Sequence, residues 1–179
     1  MLIKIVVVLV ILFAAFAGFI ASRPSEFRIA RSRTLSAPPD VLYAYVDDFR
    51  RWPEWSPWEK LDPSMKRELS GAPAGLGAVY HWSGNSSAGE GRMTITDAQP
   101  NRRLTMRLEF MRPFAATNAA QFDFAPSGEG TTVTWAMTGK YNFVTKAIGL
   151  VMDMDKMVGT EFEKGLATLD SVSAKAKAG

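Results

Sequence analysis

The sequence has no cysteine and one histidine, His81. The first absence excludes disulfides, thiolate metal sites and a cysteine nucleophile. The second excludes a zinc or iron centre made from several histidines and routes any histidine-based triad through His81. The pattern suggests no metal site and no cofactor. A Gly-x-Ser-x-Gly elbow is missing, so a standard serine hydrolase is unsupported. The stretch Gly71-Ala72-Pro73-Ala74-Gly75-Leu76-Gly77 lacks the lysine and Ser/Thr of a phosphate loop. It leads into a strand pattern rather than a helix and reads as a turn. Nucleic-acid motifs are also missing, although the net charge is +3 and the pI about 9.3. That charge reads as positional: Arg23, Arg28, Arg31 and Arg33 follow an apolar segment, where they can meet anionic head groups.

The chain has 179 residues, enough for one ordinary domain and too few for two. From Ile5 to Ser22 it is uncharged, about 18 residues that as a helix reach ~27 Å, close to the ~30 Å hydrocarbon core of a bilayer. We read residues 1–22 as a transmembrane anchor and residues 23–179 as one soluble domain. The competing reading is a cleaved signal peptide, because Ala15-Phe16-Ala17 resembles a small-x-small cleavage site. Only Lys4 is charged before the segment, whereas arginines cluster after it. The positive-inside bias therefore predicts a single-pass protein with its domain on the cytoplasmic face; signal cleavage would export it instead.

Period-two alternation dominates the middle of the chain. Leu104, Met106, Leu108 and Phe110 share one face, opposite Arg103, Thr105, Arg107 and Glu109; Val133, Trp135 and Met137 repeat the pattern. Such alternation predicts half-buried antiparallel strands. Shorter versions at 27–35, 65–70, 77–83, 91–97 and 116–124 bring the expected number to about seven, separated by Gly/Pro/Asn/Ser turns. Pro38-Pro39-Asp40 starts a short helix over 39–47, and a second short turn runs from Arg51 to Trp55. A segment at 143–174 has period 3.6, with Val151, Met154, Val158, Phe162, Leu166, Leu169 and Val172 as its stripe. Gly149, Gly159 and Gly165 cost this helix stability and permit a close approach to the sheet or a bend over it. The expected class is α+β: a curved antiparallel sheet on a long C-terminal helix, with a space left where the curvature lifts the two apart.

This order resembles the SRPBCC superfamily, the START-like helix-grip proteins, and within it the polyketide cyclase/dehydrase and lipid-transport type. The resemblance covers residues 27–172. It rests on Ala37-Pro38-Pro39-Asp40-Val41-Leu42, the run from Asp47 to Trp58, Gly75-Leu76-Gly77, Gly91-Arg92-Met93-Thr94-Ile95-Thr96 with Pro100-Asn101-Arg102-Arg103-Leu104, Gly130-Thr131-Thr132-Val133-Thr134-Trp135, and Phe162-Glu163-Lys164-Gly165-Leu166-Ala167-Thr168-Leu169. It implies the helix-grip fold and a cavity between sheet and helix. The superfamily includes lipid carriers, cyclases and co-chaperone domains, so the fold alone assigns no function.

The candidate lining of such a cavity is Tyr80, Trp82, Met93, Met106, Phe110, Phe122, Trp135, Met152 and Met154, with methionine suited to irregular apolar ligands. Trp52, Trp55 and Trp58 either line its mouth or plug the open end of the sheet. His81, between Tyr80 and Trp82, points the other way. Glu54, Glu59, Asp47 and Glu90 are possible general bases, but a catalytic carboxylate needs burial or a charged neighbour to tune it, and no catalytic residue is singled out. Asn85-Ser86-Ser87 is formally a glycosylation acceptor. Three functions follow: a membrane-tethered binding or carrier domain for a lipid, polyketide or isoprenoid-like molecule; a cyclase/dehydrase-like enzyme using the same cavity; or a protein-interaction module with a vestigial cavity and an exposed apolar outer face.

Overall fold

The alternating segments form seven strands in one antiparallel sheet, in the order β1-β7-β6-β5-β4-β3-β2, in a computed structural model that describes residues 1–128 and 130–178. The strands are β1 (Glu26–Leu35), β2 (Lys66–Gly71), β3 (Ala78–Ser83), β4 (Glu90–Gln99), β5 (Arg103–Arg112), β6 (Ala116–Ser127) and β7 (Gly130–Lys140). Each consecutive pair from β2 onward is joined as a hairpin, while β1 closes the order beside β7. Register shifts at Glu90/Gly91 and Ile95/Asp97 bend β4, as bulges do. Gly71, Gly75 and Gly77 all have positive φ, so the glycine-rich loop is a turn whose backbone needs residues without a Cβ.

Helix α1 (Leu2–Ser22) precedes the sheet, α2 (Pro39–Val46) and α3 (Trp52–Trp55) follow β1, and α4 (Phe143–Ile148) and α5 (Met154–Ala178) end the chain. Short 3-10 turns at Phe49–Arg51 and Pro57–Lys60 flank α3. α1 is the one helix among the described residues long and apolar enough to cross a membrane.

Two expectations need correction. The helix expected over 143–174 is broken after Ile148 and restarts at Met154. Asn142 caps α4, accepting from Thr145 N at 2.9 Å, and Asp153 caps α5, accepting from Lys156 N at 2.9 Å. A second cap inside the apolar period gives the backbone a fresh start, and it leaves Val151 exposed rather than on the buried stripe. Strand β2, expected to be half-buried, is exposed along its whole length. It is an edge strand whose Lys66, Arg67 and Glu68 discourage further strand pairing.

The core lies between the inner sheet face and α5. Phe162 of α5 stacks on Trp135 of β7 with ring centroids 4.2 Å apart. Phe122 stacks on the same indole at 4.8 Å, Trp55 meets both Trp135 and Phe122 edge-on, and Trp52 meets Phe122 edge-on. Arg31 from β1 reaches across α5 to Asp155 and Glu163, each at 2.9 Å. It crosses the helix where Gly159 has no side chain, since a Cβ there would collide with the guanidinium. Arg31 is thus committed to α5, unlike the lipid-facing role expected of it with Arg23, Arg28 and Arg33.

Candidate ligand cavity

Beyond Trp135 the sheet and α5 part, leaving a cavity of about 190 Å³. Its walls come from five strands and two helices: Tyr80 and Trp82 of β3, Met93 of β4, Leu108 and Phe110 of β5, Ala120 of β6, Trp135 and Met137 of β7, Trp52 of α3, and Val158 and Phe162 of α5. The connection after α3 adds Ser56, Trp58, Glu59, Leu61 and Met65, and the β3–β4 turn adds Ser87 and Ala88. The cavity exists because strands alternate: Tyr80 and Trp82 of β3, Leu108 and Phe110 of β5, and Trp135 and Met137 of β7 face inward, while their neighbours, such as His81, Arg107, Glu109 and Thr134, face the other way. On the opposite face Arg92 meets Glu109, Arg103 meets Asp123 and Arg112 meets Glu90.

Of the residues expected to line a pocket, Trp52, Trp58, Tyr80, Trp82, Met93, Phe110 and Trp135 do so geometrically. Trp55, Met106 and Phe122 are fully buried core outside the lining. Met152 and Met154 border a separate open cleft beside Arg23, displaced there by the break between α4 and α5. The tryptophan run is divided. Trp52 and Trp55 donate their indole N–H groups to the carbonyls of Val46 and Tyr45, both at 3.0 Å, which fixes them as a plug. Trp58 is half-buried and faces the cavity.

Among the described residues the wall has one charged side chain, Glu59, only 5% exposed. Its Oε1 accepts from the Tyr80 hydroxyl at 2.5 Å and its Oε2 from Arg67 Nε at 2.5 Å. Burial, then the bond to Glu59, pushes the Tyr80 phenol well above its usual range. The Arg67 guanidinium is raised too, chiefly by the same carboxylate. Ser56 is also fully buried, and among the described residues its Oγ has no hydrogen-bond partner.

The other possible bases lie elsewhere. Glu90 is paired with Arg112 and stands 3.4 Å from His81 Nε2 on the outer face. Glu54 faces Arg51 at 3.6 Å. Asp47 caps the end of α2, held above the usual carboxylate range by burial and by Asp48. Glu59 stood among four equal carboxylates because burial and partners are not written in its neighbours. Arg67, in an exposed edge strand, gave no signal at all. Leu108, Met137, Val158 and Phe162 were not expected in the lining, although each lies on an apolar face that the sequence pattern identifies.

A curved antiparallel sheet gripping a C-terminal helix around an apolar cavity is the helix-grip arrangement. The family described as Polyketide cyclase / dehydrase and lipid transport matches residues 26–174, and the chain belongs to it. No curated protein matches the sequence. Solved structures share the fold at low identity. A protein of Mesorhizobium loti aligns with a TM-score of 0.61 at 16% identity, over 83% of this chain and 98% of its own. The Aha1 dimer from Colwellia psychrerythraea gives 0.57 at 14%, over 80% and 93%. The di-domain ARO/CYC StfQ from the steffimycin biosynthetic pathway gives 0.61 at 10%, over 87% of this chain and 53% of that one.

Proposed function

We propose that the chain is a membrane-tethered binding or carrier protein for an apolar small molecule of lipid, polyketide or isoprenoid-like chemistry. The ligand sits between the sheet and α5, α1 is the anchor, and the domain of residues 23–179 lies on the cytoplasmic face. One observation carries the reading: a cavity walled by aromatic, aliphatic and methionine side chains, whose one carboxylate is already engaged on both oxygens. A tether keeps such a pocket at high local concentration near ligands dissolved in the bilayer. At about 190 Å³ the cavity lies below the ~300–1,000 Å³ usual for small-molecule sites, so a ligand of that class enters by displacing side chains. Met65, Met93 and Met137 on the wall are the most adaptable of these.

A cyclase/dehydrase-like reaction in the same cavity is the second reading, and Glu59 is the observation in its favour. A proton-transfer role requires that carboxylate to leave Tyr80 or Arg67 and meet the substrate. The interaction-module reading has less support, because the outer face carries the ion pairs described above.

The test is native mass spectrometry of the full chain released from nanodiscs made with lipids of its own host, paired with solvent extraction. The expected result is one reproducible apolar compound per chain, lost in Ala120→Phe, which fills the cavity. A folded protein that carries nothing and ignores a lipid and polyketide panel overturns the reading. If a compound binds, conversion by the wild type but not by Glu59→Gln assigns the enzyme instead.

A further inference from the structure

The cavity and the anchor leave one feature unused: an apolar lip at the root of α1. No residue of α4 is buried. Phe143 and Val144 are 51% and 53% exposed, Val151 is 85% exposed, and Leu150 and Met152 beside it are exposed as well. Five large apolar side chains exposed within ten residues are a concentration that marks a contact rather than scattered surface positions.

The position of the patch identifies what covers it. α1 packs against α4, and Lys146 Nζ donates to the Ala21 carbonyl at 3.1 Å. Ile20 is 1% exposed, so the contact falls inside the apolar stretch Leu2–Ser22 rather than beyond its end. Packed helix axes lie ~8–10 Å apart. The interfacial layer is roughly 5–8 Å deep on each side of the hydrocarbon core. A helix held against the last turn of a membrane-spanning segment therefore sits at the depth of that layer. Its charges agree with this. Arg23 lies over the Phe19 ring at 5.8 Å, and with Lys146 it places cations at head-group level. Of the nearby acids, Asp153 caps α5 and Asp155 is paired with Arg31.

We infer that residues 143–152 form a second membrane contact, an interfacial element whose apolar side chains enter the lipid beside α1. The occupant is the bilayer itself, and the inference rests on the anchor reading of α1 given above. It also deepens the carrier reading. Met154 borders the cleft next to Arg23, and Val158, one helical turn on, lines the cavity. The lipid-seated segment thus runs directly into the helix that closes the pocket.

The absence of cysteine makes the test clean. Single variants Val144→Cys, Val151→Cys, Val8→Cys in α1 and Glu68→Cys on β2 are labelled with a thiol-reactive fluorophore in the full chain. They are reconstituted into phosphatidylcholine–phosphatidylglycerol vesicles with brominated acyl chains. The expected result is loss of emission at 144 and 151 approaching that at 8, with none at 68. Emission at 144 and 151 as unquenched as at 68, while 8 is quenched, overturns the second contact and leaves the anchor standing. Labels at 144 and 151 shielded from water but not quenched by brominated lipid mean that protein covers the lip, and also overturn it. An unquenched label at 8 removes the anchor reading, and the second contact falls with it. The substituted lip positions are exposed, and unchanged far-UV circular dichroism verifies folding in each variant.

Discussion

Glu59 shows why chemistry at single residues is hard to read in a sequence. Its neighbours Trp58 and Lys60 distinguish it from Glu54 only by spacing, yet the fold buries one and exposes the other. What matters about Glu59 is supplied by β2 and β3, through Arg67 and Tyr80. Tyr80→Phe removes the donor to Oε1 and leaves a buried carboxylate oxygen against an apolar wall. We expect a loss of ~1–3 kcal/mol, the usual cost of an unsatisfied buried acceptor, read from urea unfolding curves; no loss would mean that Oε1 is solvated. Asp62 is a second such residue, with a pH signature. It accepts from Ser64 Oγ at 2.7 Å, from the amide of Asn85 at 2.7 Å and from that of Ser64 at 2.9 Å, and these hold it below the usual carboxylate range. A depressed folded pKa contributes stability above the unfolded value of ~3.9, and that contribution is lost as pH falls through the folded value. Asp62→Asn is therefore expected to melt lower than wild type at neutral pH, with the gap closing in strong acid. A gap independent of pH would assign the effect to packing.

At the scale of elements, the strands were legible and the break in the last helix was not. Inward residues of β3, β5 and β7 alternate without interruption, and a one-residue slip would turn Tyr80, Met106 and Trp135 outward together, so the pattern admits one register. The apolar stripe from 143 to 174 has no such check, because Val151 and Met154 fit the period whether or not the helix is continuous. The signal that mattered was Asp153, a capping residue within the period, four residues after Gly149. The glycines of this region differ in role. Gly165 stands against Trp135 and Pro57, where an added Cβ would come within 2.8 Å of the indole. Gly165→Ala should push α5 off the sheet at a cost of ~1–3 kcal/mol, as overpacking does, and alter the cavity through Trp135. Gly149 has an ordinary helical φ of −63° and no neighbour of the added Cβ closer than 3.4 Å. Gly149→Ala should leave the unfolding temperature nearly unchanged. Helix propensity alone favours alanine at both sites, so a gain in stability at Gly165 would mean that the close approach of α5 to Trp135 leaves room for a methyl group.

At the scale of the whole molecule, the question is how a cavity domain and an apolar helix work together. Helix α1, with 21 residues, is ~31 Å long at ~1.5 Å per residue, enough for a hydrocarbon core of ~30 Å. A signal peptide would be removed near Ala17, leaving Gly18–Ser22 as a stub. The structure gives that stub a place: Ile20 is buried and Ala21 is bonded to Lys146. The two readings therefore share one folded domain and differ only in whether the first turns remain attached. We expect the intact mass of the protein from its own host to include Met1, and the chain to stay with the membrane through alkaline carbonate and leave it only in detergent. A variant lacking residues 2–17 should become soluble with an unchanged unfolding temperature, because Ile20 and its contacts are retained. In sealed vesicles of known orientation, protease should reach the sheet from the cytoplasmic side, following the arginines after α1. A mass beginning after Ala17, with protein recovered outside the cytoplasm, would replace the tethered carrier with an exported one that meets its apolar ligand away from the bilayer.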